Sequence, residues 1–195
     1  MHRKIAAIGL LCAGVCLASG AQAKDLTGWF VNGGVGTANY HATVDYDGYH
    51  ASGNKSGGSA ALVNFGWRSQ FIGVEAGYTN LGSVTERAYG DRAKLSGDGW
   101  TLGLNGHFNP TRNWYISARG GAFYSNLRSR LTVNDIGYGS AHYSGTDRSL
   151  GWYAGVGTGY DIDWHWSVGA SFDYYKINGD DIGSKVFTVS AEYRF

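Results

Sequence analysis

Counting back from the C-terminal residue, Phe195, Tyr193, Ala191, Val189 and Phe187 fall on one face of an extended chain and Arg194, Glu192, Ser190 and Thr188 on the other. The same period of two returns along the chain, and the helical period fits little of it. Eight such segments are predicted, at about 27–39, 58–68, 71–81, 97–108, 113–125, 150–161, 165–175 and 185–195. Each is close to the ~9–11 residues of a tilted strand that crosses a bilayer. The connections sort by length. Tight ones follow the second, fourth and sixth segments (Arg68-Ser69-Gln70, Asn109-Pro110-Thr111-Arg112, Asp161-Ile162-Asp163-Trp164), and long polar ones follow the others, such as 41–57 and 128–149. An up-and-down barrel inserted from one side of a membrane sorts its loops this way, and a soluble sandwich has no reason to. The expected fold is therefore all-β: an eight-stranded antiparallel transmembrane barrel with short periplasmic turns and long extracellular loops.

The first residues stand apart from that pattern. Met1-His2-Arg3-Lys4 is a short basic stretch, residues 5–17 are apolar, and Ala21-Gln22-Ala23 has the small-residue form of a cleavage site. A cleaved signal peptide over 1–23 is expected, followed by one barrel domain over 24–195. Cys12 and Cys16 both lie in the leader, so the barrel carries no disulfide. Losing Arg3 and Lys4 takes the basic residues from 16 to 14 against 15 acidic. A near-neutral chain without a Lys/Arg cluster disfavours nucleic acid as a partner.

Aromatic positions supply a second line of argument, because Trp and Tyr favour the headgroup regions at the two ends of a spanning strand. Trp29, Trp67, Trp114, Trp164 and Trp166 fall at short-turn ends, and Trp100 and Trp152 at long-loop ends with Tyr78, Tyr124 and Tyr174. All seven Trp thus form two belts. Val35, Val63, Phe65, Val74, Leu102, Leu104, Ile116, Val156, Phe172 and Val189 are assigned to the lipid side. The lumen receives Asn32, Asn64, Thr101, His107, Ser117, Ser171, Ser190 and a polar network of Glu75, Asn105, Arg119, Asp173, Glu192 and Arg194. Many remaining inward positions are Gly, which relieves crowding in so narrow a barrel. An unpaired buried carboxylate is costly, so Glu75 and Asp173 are expected to pair with Arg119 and Arg194. The expectation is a wet, internally paired plug.

Four stretches carry a family resemblance: Gly28-Trp29-Phe30-Val31-Asn32-Gly33-Gly34-Val35-Gly36, Phe71-Ile72-Gly73-Val74-Glu75-Ala76-Gly77-Tyr78-Thr79-Asn80-Leu81-Gly82, Ser117-Ala118-Arg119-Gly120-Gly121-Ala122 and Ala191-Glu192-Tyr193-Arg194-Phe195. In this order and spacing they resemble the OmpA-like transmembrane barrel. The resemblance implies a monomeric protein of the Gram-negative outer membrane, surrounded by membrane lipid and lipopolysaccharide. It also implies that Tyr193 and Phe195 resemble the terminal signal read by the outer-membrane assembly machinery. In OmpA itself two acids, a lysine and an arginine are proposed to gate a small conductance. Glu75 matches one acid, but Asn105, Gly159 and Ser171 stand at the other three places. The peptidoglycan-binding domain of full-length OmpA is not expected here.

The resemblance leaves three roles open: surface interaction through the loops, a small-conductance pore, and modification of lipid A by acyl transfer or deacylation. The enzymatic chemistry needs a nucleophile, His and an acid at the membrane boundary. His142-Tyr143-Ser144 with Asp147 offers the residue types, but in a long loop and without a nucleophile elbow, so no enzyme is expected. His41, Asp45, Asp47 and His50 are too dispersed to anticipate a metal, and no cofactor is expected. His107 and His165 are expected at the interface or paired inside the barrel. Tyr and Arg are the residue types that make binding hot spots. The interaction candidates are therefore Tyr46 and Tyr49 in the first loop and Arg130, Tyr138, His142 and Tyr143 in the third, with a host or surface ligand as partner.

Overall fold

The computed structural model describes the backbone of residues 27–46, 49–88, 91–135, 139–177 and 182–195, and the side chains of 27–40, 58–83, 96–128, 145–177 and 183–195. Eight strands close on themselves: β1 (Gly28–Tyr46), β2 (Tyr49–Arg68), β3 (Ile72–Ala88), β4 (Asp91–Phe108), β5 (Trp114–Asp135), β6 (Gly139–Asp161), β7 (Trp166–Lys176) and β8 (Ile182–Arg194). Each pairs antiparallel with its chain neighbour, and β1 meets β8 from Phe30↔Arg194 to Ala42↔Ile182. Closure removes every sheet edge, which is the condition for placing β-structure in hydrocarbon. Among the described residues there is no helix.

The wall follows the period of two. Val35, Leu102 and Val156 are 68%, 66% and 62% exposed, while the alternate positions Asn64, Glu75, Thr101 and Asp173 are buried. Only a barrel whose outer solvent is lipid exposes its branched apolar residues and buries its charges.

Two expectations need correction. The stretches 41–57 and 128–149 are not simple loops: the β1–β2 ladder runs to Tyr46↔Tyr49 and the β5–β6 ladder to Asp135↔Gly139. Beyond the bilayer no lipid sorts side chains by face, so the ladder continues without an apolar alternation to reveal it. The lumen, moreover, is not wet throughout. Its extracellular half holds an apolar cluster that includes Tyr40, Leu81, Phe123, Tyr153, Tyr175, Ile177 and Val186. Phe123 meets Tyr175 at 5.0 Å between ring centroids, Tyr153 stacks on Tyr175 at 5.8 Å, and the Tyr40 hydroxyl donates to the Leu81 carbonyl at 2.9 Å. Several of these residues sit beside outward-facing aromatics, as in Trp152-Tyr153 and Tyr174-Tyr175, where both faces are apolar and alternation carries no information.

Candidate functional site

The polar residues gather in the periplasmic half of the lumen. Arg119 on β5 faces Asp173 on β7 as a fork, Nε donating to Oδ1 at 2.7 Å and Nη2 to Oδ2 at 2.6 Å, and the Ser171 hydroxyl adds a third bond to that carboxylate at 2.9 Å. Planar two-point pairing of this kind is the strongest way to hold a buried carboxylate. Asp173 takes its expected cation; Glu75 does not. Among the described residues no cation bridges Glu75, which instead accepts from the Asn105 amide and the Tyr153 hydroxyl, each at 2.9 Å.

Asn105 is a relay. Its carbonyl accepts from Arg68 Nη1 at 2.8 Å while its amide donates to Glu75, so one side chain joins a guanidinium to a carboxyl group. Arg68 also bridges to Glu192, and its guanidinium lies 4.7 Å from the centre of the Phe30 ring. Arg194 donates to Glu192 through Nε at 3.1 Å and to Asp161 through Nη2. Asp161 accepts further from the Asn109 amide at 2.6 Å and from the Ser167 hydroxyl, with His107 Nε2 at 3.5 Å. His107 in turn stacks on Tyr115 at 4.2 Å. A cavity of about 40 Å³ lies among Arg68, Glu75, Asn105 and Glu192, room for water and little more.

Glu75, Asn105, Arg119, Asp173, Glu192 and Arg194 therefore share one interior, although the partner of Arg194 is Asp161 with Glu192 rather than Glu75. Sequence reasoning missed Arg68, Asp161 and Tyr153. Arg68 and Asp161 stand where predicted segments end and tight connections begin, yet each continues the inward series by one step, Asn64 and Gly66 to Arg68, and Gly157 and Gly159 to Asp161. Both are at most 1% exposed.

On the outer wall all seven Trp are exposed, from Trp67 at 39% to Trp100 and Trp164 at 61%. Trp29 stacks on Phe65 at 5.2 Å and Trp114 meets Tyr160 at 5.9 Å near the short turns; Tyr78 meets Trp100 at 5.2 Å and Trp152 meets Tyr174 at 5.5 Å near the far end. Tyr193 is set among Trp166, His165 and Phe195, and the Phe195 amide donates to the Trp29 carbonyl at 3.0 Å across the closing seam. Tyr138 and the side chains of Tyr46, Tyr49, Arg130, His142 and Tyr143 lie outside the described residues, as do those of His41, Asp45 and His50.

Residues 8–195 match the family described as "Outer membrane protein beta-barrel domain". Three solved structures share the fold. The attachment invasion locus protein Ail of Yersinia pestis is 16% identical, with 87% of this chain and 99% of that chain covered and a TM-score of 0.53. Neisserial surface protein A is 18% identical over 87% and 98%, with a TM-score of 0.53. OprG of Pseudomonas aeruginosa is 16% identical over 90% and 99%, with a TM-score of 0.55. No curated protein sequence matches. With the whole barrel inside the matched region, the chain belongs to the outer membrane protein beta-barrel domain family, and its place is the bacterial outer membrane.

Proposed function

We propose that this protein is a non-enzymatic outer-membrane barrel that acts at the cell surface through its extracellular hairpins, in adhesion or in envelope integrity, and that its lumen does not conduct. The observation that carries this reading is the two-layer filling of the interior, with Phe123, Tyr175 and Val186 closely packed above the Arg68–Asn105–Glu75 relay. An eight-stranded barrel has room only for such side chains, so the surface left for work is the outside. The β5–β6 hairpin is the longest of the molecule and carries Arg130, Tyr138, His142 and Tyr143. One structure of Ail holds the heparin analogue sucrose octasulfate. At 16% identity the likeness is one of fold, so a sulfated or otherwise anionic surface ligand comes to this chain as part of the proposal.

In this reading residues 1–23 are removed on export, Tyr193 and Phe195 present the assembly signal, and the protein is a monomer. Deleting residues 131–146 tests it. Adhesion of the cells, or lipopolysaccharide-dependent permeability, should fall while the barrel keeps its heat-modifiable migration on a gel; unchanged values in a folded deletion overturn the surface role. Mass spectrometry of lipid A from cells with and without the protein should show identical acyl patterns, and an altered pattern makes it an enzyme.

A further inference from the structure

The outer aromatic belt has a gap. Six consecutive strands, β3 to β8, each present a ring on the wall at this end: Tyr78, Trp100, Tyr124, Trp152, Tyr174 and Phe187. Where the ring of β8 meets β1 the register is Phe187↔Thr37, and Thr37 in turn faces Ser59 of β2. Both small side chains are exposed. The backbone changes at the same place. The β2–β3 ladder ends at Ala61↔Asn80, whereas the flanking ladders continue to Tyr46↔Tyr49 and Ala88↔Asp91. Registers shift between Thr37 and Asn39 and between Asn80 and Ser83, and Gly82, at φ +76°, donates its N–H to Asn80 Oδ1 at 2.8 Å. The result is a groove of about 770 Å³ in the outer wall, with Val35, Ala61 and Val189 toward its membrane end and Ser59, Asn80 and Ser83 toward its outer end.

Charge lies beside it. Lys185 on β8 faces Asn39 of β1 and Tyr174 of β7, and Lys176 on β7 faces Trp152 and Gly183, so the two lysines are diagonal neighbours at belt level. They share the outward parity of Tyr174 and Phe187. Among the residues whose side chains are described, no Asp or Glu shares the outward parity on β7, β8, β1 or β2.

We propose that this gap is a seat for a phosphorylated, multiply acylated glycolipid of the outer leaflet, the lipid A moiety of lipopolysaccharide. One saturated chain lies against Val35, Ala61 and Val189, where the lack of a ring lets it approach the backbone. The sugar head meets Ser59 and Asn80, and a phosphate lies against Lys185 and Lys176, as anionic headgroups do with basic residues at a membrane surface. The choice of a glycolipid over a glycerophospholipid follows from the rim: a polar edge of hydroxyl and amide groups beside two ammonium groups suits a sugar that carries its own phosphate. The proposal depends on the outer-membrane setting and not on the hairpin function.

Native mass spectrometry of the purified protein in zwitterionic micelles tests it, with bisphosphorylated lipid A, its dephosphorylated form and phosphatidylglycerol as probes. The expected result is saturable retention of one lipid A, with each of the other two at least tenfold weaker. Equal retention of all three overturns the proposal, and this comparison needs no variant. The double variant Lys176→Glu/Lys185→Glu and the single variant Ser59→Trp should each weaken lipid A at least tenfold, while Leu102→Trp on the far wall leaves it unchanged; heat-modifiable migration selects the folded variants. Retention unaffected by filling the groove, or by reversing both charges, also overturns it. The adhesion measurement above reads the hairpins alone, so the two ideas fail separately.

Discussion

Arg119 and Asp173 stand 54 positions apart in sequence and two strands apart in the barrel, yet meet inside it through two parallel hydrogen bonds of 2.7 and 2.6 Å. Asp173 is wholly buried and the Arg119 side chain nearly so. Removing one partner therefore strands the other charge in a narrow interior. Arg119→Leu and Asp173→Leu are each expected to lower stability by about 3–5 kcal/mol, and the double variant Arg119→Leu/Asp173→Leu by less than the sum. Urea unfolding in detergent micelles measures this. Additive losses within about 0.5 kcal/mol would mean that the two groups do not depend on each other.

Glu75 poses a different problem, since among the described residues its carboxyl group is bonded by neutral donors alone. The Tyr153 hydroxyl supplies one of them at 2.9 Å. Tyr153→Phe keeps the ring in the apolar layer and deletes only that bond to a buried carboxyl group, at a cost of about 1–3 kcal/mol. Tyr160→Phe, on the exposed wall, should stay within about 0.5 kcal/mol of the parent in the same unfolding assay.

How much of this was legible in the residues differs from one part to the next. Val35, Val189 and Leu102 alternate with polar or Gly neighbours over whole strands, and that pattern has one economical explanation, a wall with lipid outside. Arg68 and Asp161 were hidden because the last inward position of a strand looks, in sequence, like the first residue of a turn. Phe123, Tyr153 and Tyr175 were hidden because apolar residues occupy both faces there. Which cation reaches which acid was not legible. It depends on how far the strands are staggered when β1 closes on β8, a quantity set by the sum of all eight registers.

The apolar layer makes a prediction about current. Phe123 and Tyr175 are both buried, with ring centroids 5.0 Å apart in the extracellular half of the lumen. Parent protein in a planar bilayer should give no steady current. Phe123→Ala opens volume at that layer, and any passage through the polar half then becomes measurable as small, discrete steps. Large stable steps from the parent protein would refute the closed lumen outright. A silent Phe123→Ala would place a second barrier lower down, at the Arg68–Glu192 pair, and Arg68→Ala in the same background would test it.

Glycine supplies the last test, because two glycines of the same wall make opposite demands. A Cβ at Gly155 would run into the Asp173 carboxylate, the group that Arg119 grips, and would lie only 3.1 Å from the Phe172 carbonyl. Nothing lies within 4 Å of a Cβ at Gly33. Neither residue has the positive φ that would itself penalise alanine, so any difference between the substitutions is one of space. Gly155→Ala should therefore push Asp173 off its fork and cost about as much as breaking the ion pair, on the order of 3 kcal/mol. Gly33→Ala should be neutral or slightly stabilising, since it adds apolar surface toward lipid and restricts the unfolded chain. The two variants, unfolded side by side in urea, distinguish glycine kept for packing from glycine that is merely tolerated. If Gly155→Ala is as stable as the parent, then Asp173 moves freely within the lumen and the fork with Arg119 does not fix its place.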